Sequence, residues 1–247
     1  MMKDSIHLIC NEFSRGIGHD LDWWKYRLSF YENFTLNSIV NQTNKNFYLL
    51  MTIDHRLPLK IELEEILKRS GLKYLLVNKT IKDDLKDKMS TLVGSSYVYT
   101  TRIDTDDVFH KDVVDEIQRY EYSEKRTLIY QKGYCYDVVN NRLQHYFAKS
   151  PPFSTSMFTR EIFVDDSKRN EYIGVKSHDQ LFKNTKSIVL SENKYIVLIH
   201  NRNLDSVYLE GKRAENLKRY TISENEHNGI LKDFNIDVDT YKKAWKK

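Results

Sequence analysis

The sequence predicts an α/β protein with a mostly parallel central sheet, helices on both faces and an antiparallel second half. Three observations predict it. Apolar runs of strand length alternate with segments of helical period between residues 47 and 120. A β-branched and aromatic run, Tyr97-Val-Tyr-Thr-Thr-Arg-Ile103, stops at three carboxylates, Asp104, Asp106 and Asp107. Beyond residue 125 the alternation gives way to short strands.

Ile6 to Cys10 reads as a first strand, and Arg27 to Gln42 as a helix whose apolar residues change face near Asn33. Phe47 to Ile53 is the next strand. Leu59, Leu63, Ile66 and Leu67 then keep one helical face until Ser70-Gly71 stops it. Leu72 to Val77 is a strand, and Ile81, Leu85, Met89 and Leu92 share a helical face that Gly94 ends. Tyr97 to Ile103 is a further strand, followed by Phe109, Val113, Val114 and Ile117 on one face of a third helix. Strand, helix and strand in repetition give parallel neighbours.

Thr127 to Tyr130, Tyr134 to Val139 and Leu143 to Phe147 read as short strands, the last two joined by a tight turn at Asn140-Asn141. Ser150-Pro-Pro-Phe-Ser-Thr-Ser156 reads as a loop, His178 to Phe182 as the opening of a short helix, and Lys194 to Ile199 as a last strand ending in His200-Asn-Arg-Asn203. Residues 204 to 247 read as a charged helical extension packed on the domain formed by residues 1 to 203. The lysines at the end of that extension fit a solvated tail better than a membrane-binding one.

With 247 residues the chain is long enough for one well-buried domain, and no Pro/Gly/Ser-rich linker divides it. Its 39 Lys and Arg against 35 Asp and Glu leave a dispersed net charge of +4, which argues against nucleic acid as a partner. Cys10 and Cys135 form no Cys-x-x-Cys pair, so zinc and a disulfide framework have no support and a reducing compartment fits. The Met1 to Cys10 segment is too short for a leader's apolar region and no window reaches a membrane span, so the expectation is a cytoplasmic protein with no transmembrane segment.

The acidic stretch carries the chemistry. Two carboxylates about 4 Å apart repel by roughly 4 kcal/mol at an effective dielectric near 20, so three at one strand end need a cation, helix dipoles or raised pKa values. Ligands of such sheets bind outside the carboxyl ends of the strands, where Asp54 and the Asp104 cluster both fall. The placement points to a site for a metal ion and a diphosphate. Capping of a helix near Val108 accounts for one carboxylate, Asp106 or Asp107, and not for three. An EF-hand is excluded, because Phe109 stands where its glycine is needed and Asp115 where its glutamate is. Asp20-Leu-Asp22 and Asp237-Val-Asp239 repeat the spacing without the strand in front.

Two blocks resemble a known family, the rhamnosyltransferase-like glycosyltransferases with the GT-A fold. One runs from Trp24-Lys-Tyr-Arg27 through Ser38 and Gln42-Thr43 to Phe47 and Asp54; the other is Thr101-Arg102-Ile-Asp104-Thr-Asp106-Asp107, the family's Arg-x-Asp-x-Asp-Asp signature. The likeness covers residues 5 to 120 well and the remainder loosely. It implies a GT-A-like nucleotide-diphospho-sugar transferase fold and a nucleoside-diphosphate sugar donor, with rhamnose a candidate sugar, and a glycan, lipid-linked or protein acceptor. It also implies Mn²⁺ or Mg²⁺ on Asp106, Asp104 at the ribose or the metal, His200 as a further ligand, and Asp179 as the base that deprotonates the acceptor. Ordinary roles stand beside these: a hydrogen-bonded histidine at His200 and a helix cap at Asp179. Arg102 and Arg27 have the forked donors to meet a diphosphate or a carboxylate, with Asp54 and Glu32 as simpler partners. Where the family has a Thr-Arg-Phe-Asn-like element after the first strand, this chain has Cys10-Asn-Glu-Phe-Ser-Arg15-Gly16, which departs from it.

The rival readings are another metal-dependent phosphoryl or nucleotidyl transfer enzyme, and a noncatalytic module that binds nucleotide sugars. Gly16-Ile-Gly18 lacks the third glycine of a dinucleotide fingerprint, and Gly211-Lys212 lacks the flanking residues of a phosphate loop.

Overall fold

The computed structural model describes residues 4–13, 15, 18–92, 94–173, 181–204, 222–237 and 239. Strands β1 (Ser5–Glu12), β2 (Tyr48–Ile53), β3 (Tyr74–Asn78) and β4 (Tyr97–Arg102) run parallel in the order β3-β2-β1-β4. Helices α3 (Lys60–Arg69) and α4 (Asp84–Ser90) make the crossovers that parallel neighbours require. Beyond β4 the sheet continues through β9 (Ser154–Thr159), β6 (Arg126–Tyr130) and β10 (Lys186–Leu190), with β9 antiparallel to both of its neighbours. This is the mostly parallel α/β sheet that the sequence predicts.

A second sheet of four strands lies in the order β5-β11-β7-β8, from β5 (Val108–Phe109), β11 (Tyr195–Ile199), β7 (Lys132–Asp137) and β8 (Arg142–Phe147). Its β7–β8 hairpin turns at Asn140-Asn141, where Asn141 takes a left-handed φ of 52°. The antiparallel second half is present, although β11 itself runs parallel to β7.

Apolar residues cover both faces of the large sheet. Leu63, Leu67, Val113 and Ile117 pack with Leu49 and Met51 on one side, while Met89, Phe158 and Phe163 pack with Leu8 and Val98 on the other. The helix Glu224–Asp233 and the turn after it bring Leu231, Phe234 and Ile236 against Phe30, Phe34 and Leu198. The terminal lysines lie outside the described residues. Among the described residues no helix is long and apolar enough to cross a membrane.

Four expectations need correction. The helix read from Arg27 begins earlier, as α1 (Leu21–Phe30), with Asp20 accepting from the Trp23 amide at 2.8 Å. It then passes through a π-helical turn, Tyr31–Leu36, into α2 (Asn37–Val40). The wider turn rotates α2 relative to α1, which is why the apolar face changes near Asn33. Helix α4 starts after Ile81, because Asp84 accepts from the Asn78 amide at 2.7 Å and holds the intervening residues as a turn. Phe109 belongs to β5, paired with Tyr195, and the helix after it is only α5 (Val113–Ile117). Residues Ser154 to Ser156, read as loop, form half of β9. Their hydroxyl character suits a loop, but β4 engages them: the Thr101 and Thr155 hydroxyls share a hydrogen bond of 2.6 Å, and Thr100 donates to the Ser156 backbone carbonyl at 3.3 Å. Tertiary pairing outweighs local preference there.

Candidate functional site

Strands β1 and β4 are adjacent and parallel, so their carboxyl ends open on the same edge of the sheet. A cavity of about 300 Å³ lies there, lined among others by Asn11, Arg15, Arg27, Arg102, Asp104 and Asp106. Helix α1 brings Arg27 to it from 79 positions away in sequence.

Each of the three carboxylates has a different electrostatic solution. Asp104, partly exposed, accepts from Arg102 Nη2 at 2.9 Å. Asp106 is largely buried, which works against its charge, but the Arg27 guanidinium and His200 hold its carboxyl well below the usual range. Arg27 donates to Asp106 Oδ2 at 2.7 Å and to the Thr105 hydroxyl at 2.9 Å, and its guanidinium stands 5.5 Å from the Trp23 ring centroid. Among the described residues no cation pairs with Asp107. Burial, then the charges of Asp106 and Asp104, push its carboxyl well above the usual range, and its Oδ1 accepts from the Leu198 amide at 3.0 Å.

Beyond β11, His200 and Asn203 close round Asp106. Asn203 Nδ2 donates to Asp106 Oδ2 at 3.3 Å and to the Leu198 carbonyl at 3.0 Å, while its own oxygen accepts from the His200 amide. The His200 ring is fully buried against Phe30 and Tyr26, with Nε2 at 3.6 Å from Asp106 Oδ2. Its Nδ1 accepts from the Arg202 amide at 3.1 Å, which places the ring proton on Nε2. Burial lowers the pKa of this ring despite the neighbouring carboxylate, which favours the neutral form. The nitrogen that faces Asp106 also lies 3.5 Å from Arg27 Nη1.

Residues 12–213 match the family described as "Putative rhamnosyl transferase". The chain belongs to this family. Comparison with curated proteins gives no match. Among solved structures the chain is similar to Staphylococcus aureus TarS 1–349 in complex with UDP, at 15% identity and a TM-score of 0.44 over 79% of this chain and 60% of that one. It is also similar to a cytidylyltransferase from Leptospira borgpetersenii, at 13% identity and a TM-score of 0.41 over 78% of each chain. A third likeness is to GalNAc-T7 with UDP, GalNAc and Mn²⁺, at 10% identity and a TM-score of 0.41 over 96% of this chain and 50% of that one. The chain spans about 60% of the length of the TarS 1–349 structures.

Within this rhamnosyl transferase family chain, Arg27, Arg102, Asp104 and Asp106 share the cavity. Asp54 does not line it: buried at the end of β2, its two oxygens take Arg56 Nε at 2.9 Å and Nη2 at 2.8 Å, and these bonds hold its carboxyl well below the usual range. Glu32 pairs with Arg69. Asp179 and His178 lie outside the described residues. Thr105, Asn203 and Arg15 are additions that the residue pattern alone does not single out. For Asn203 the available signal was a polar side chain three positions after His200, at the end of a strong strand.

Among the described residues no three His, Cys, Asp or Glu side chains converge as a set of metal ligands. A hard divalent cation needs fewer, since it takes one or two carboxylates and fills its shell with phosphate oxygens and water. Asp104 Oδ2 and Asp106 Oδ1 accept no hydrogen bond among the described residues, and both carboxylates border the cavity. The pair therefore fits a cation that arrives with a diphosphate. His200 is not among the residues lining the cavity, and both its nitrogens have neighbours, Nδ1 the Arg202 amide at 3.1 Å and Nε2 Arg27 Nη1 at 3.5 Å and Asp106 Oδ2 at 3.6 Å. Charge sets a further condition: a divalent cation at Asp106 would be repelled by the Arg27 guanidinium that already pairs with it at 2.7 Å.

Proposed function

We propose that this chain is a glycosyltransferase that moves a sugar, with rhamnose as the leading candidate, from a nucleoside-diphosphate donor to a hydroxyl acceptor. One observation carries the reading: in a chain of the rhamnosyl transferase family, Arg27, Arg102, Asp104 and Asp106 meet at one cavity beyond the parallel strands. The acceptor is a glycan, a lipid-linked molecule or a protein. Residues 1 to 203 form the transferase domain in this reading, with the C-terminal extension packed on it.

In the reaction the acceptor oxygen attacks the anomeric carbon, the bond from that carbon to the diphosphate breaks, and the acceptor loses its proton. Arg102 binds the diphosphate through its forked donors. Asp104 and Asp106 would hold Mn²⁺ or Mg²⁺, and such a cation would offset the charge that develops on the departing nucleoside diphosphate. Asp179 takes the acceptor proton, a role worth typically about 10² to 10⁴ in rate. His200 and Asn203 orient Asp106. Asp54 shapes the turn after β2 through Arg56 rather than touching the donor. Asp107 Oδ1 is already bound to the Leu198 amide, so Asp104 and Asp106 are the carboxylates proposed for the cation.

The test is donor hydrolysis and transfer across a panel of sugar nucleotides with Mn²⁺ present. Asp106→Ala should abolish turnover on whichever donor is used, and retention of turnover removes the metal assignment. Full activity in Asp179→Asn removes the base. If no sugar nucleotide binds or reacts, the transferase reading itself fails.

A further inference from the structure

We propose that Arg27 is a positioning residue that keeps Asp106 closed to divalent cations until a diphosphate enters, so that cation and donor bind as a unit. This deepens the donor reading above and rests on it. Asp106 Oδ2 already accepts two hydrogen bonds, from Arg27 Nη1 at 2.7 Å and Asn203 Nδ2 at 3.3 Å, with His200 Nε2 at 3.6 Å beyond them. An oxygen so surrounded has no lone pair left for a metal ion. The positive charge beside it is also fixed in place. Arg27 is buried, its second nitrogen is bound to Thr105, and Trp23 stands under its guanidinium.

A cation approaching the free oxygen of Asp106 in the donor-free protein meets that guanidinium and is repelled. A diphosphate reverses the balance twice. Its charge attracts the cation, and its oxygens offer Arg27 a second acceptor on the same cavity wall, where Arg102 also stands. Whatever factor the diphosphate adds to cation affinity, the cation adds to diphosphate affinity. Arg27 is thus the cation that Asp106 keeps while no donor is present.

The experiment measures Mn²⁺ binding by electron paramagnetic resonance in wild type and Arg27→Met, each alone and with UDP, dTDP or GDP in turn. Wild type alone should bind Mn²⁺ weakly, and at least about tenfold more tightly once the matching nucleotide is added. Arg27→Met should bind Mn²⁺ at least about tenfold more tightly than wild type without any nucleotide, and the gain from adding one should shrink. If Arg27→Met does not fold, Arg27→Gln removes the charge while keeping a polar amide donor and carries the same expectation. Equal Mn²⁺ affinity in wild type and the neutral variant overturns the proposal, whatever the nucleotides do. Equal affinity in wild type with and without a nucleotide that binds also overturns it and leaves the transferase reading standing. Absence of binding by every nucleotide and sugar nucleotide overturns the transferase reading, while the comparison of the two proteins without nucleotide still decides the role of Arg27.

Discussion

The Asp107 carboxyl accepts the Leu198 amide hydrogen at 3.0 Å, and this buried bond ties the acidic loop after β4 to a strand of the other sheet. Leu198 is the penultimate residue of β11, which ends just before His200 and Asn203. One bond therefore helps set how closely those two residues approach Asp106. The candidate site sits in the seam between two sheets, and Asp107 is one of the stitches that close it.

Replacing Asp107 separates its two properties. Its folded pKa stands above the ordinary value of 3.8, so the folded chain keeps a proton that the unfolded chain releases. Stability from this group is then full below pH 3.8 and falls as pH rises through the folded pKa. Asp107→Asn, which keeps the acceptor oxygen and cannot ionise, should remove that decline. Asp107→Ala leaves the Leu198 amide without a partner and should cost about 1–3 kcal/mol. Urea unfolding at several pH values checks both, and a wild type that gains stability with rising pH relative to Asp107→Asn refutes the first.

His7 predicts a loss at the acid end. Buried in β1 with Nε2 at 2.7 Å from the Thr101 hydroxyl and Nδ1 at 3.2 Å from Gln118 Nε2, it is held neutral, and burial lowers its pKa from 6.5 to about 3. The folded chain binds fewer protons here than the unfolded one, so stability is full above pH 6.5 and is lost as pH falls through about 3. Between pH 7 and pH 5 the loss should be about 2 kcal/mol. His7→Gln, which retains a donor and an acceptor, should flatten that part of the curve. An unchanged slope in chemical denaturation would count against it.

The fold was legible wherever local periodicity and burial agree: β1 to β4, α3 and the β7–β8 hairpin all follow from apolar spacing and turn residues. β9 was not, because its Ser-Thr-Ser opening finds partners only across strands that are distant in sequence. At the site, the Asp-x-Asp-Asp stretch was legible as a charge problem demanding compensation. Its solution was not, since Arg27 and Asp106 are 79 positions apart and meet only because α1 packs over the strand ends. His200 was found by its place after a strong strand, but its contacts with Arg27, Asp106 and the Arg202 amide depend on tertiary packing and on the fold of the turn at Arg202.

Gly133 marks a packing limit rather than a flexible point. A Cβ built there lies 2.6 Å from the Tyr195 ring and 2.7 Å from the Tyr195 carbonyl oxygen. The ring is itself held by stacking on Phe153 at 3.8 Å between centroids, and the carbonyl is backbone, so neither can yield cheaply. Gly133→Ala should lower stability by about 1–3 kcal/mol or more, read from a shift in the urea midpoint. Wild-type stability in that variant would mean that β7 and β11 are less tightly apposed than described.

Asp54 and Asp106 follow the two strands that flank β1, at the same sheet edge, yet their substitutions should separate by readout. Arg56 engages both oxygens of Asp54, and this pairing depresses its pKa, so the stabilisation is present above pH 3.8 and fades as pH falls below it. Asp54→Asn should therefore lower the melting temperature at pH 7, lose that effect in acid, and leave Mn²⁺-dependent nucleotide binding within about twofold of wild type. Asp106→Asn withdraws the charge that faces Arg27 and a carboxylate oxygen from the cavity, so nucleotide binding with Mn²⁺ should fall by at least about tenfold. Calorimetric titration alongside thermal melts distinguishes the two. A large loss of nucleotide affinity in Asp54→Asn would place that carboxylate at the donor after all, and would require Arg56 to release it when the donor binds.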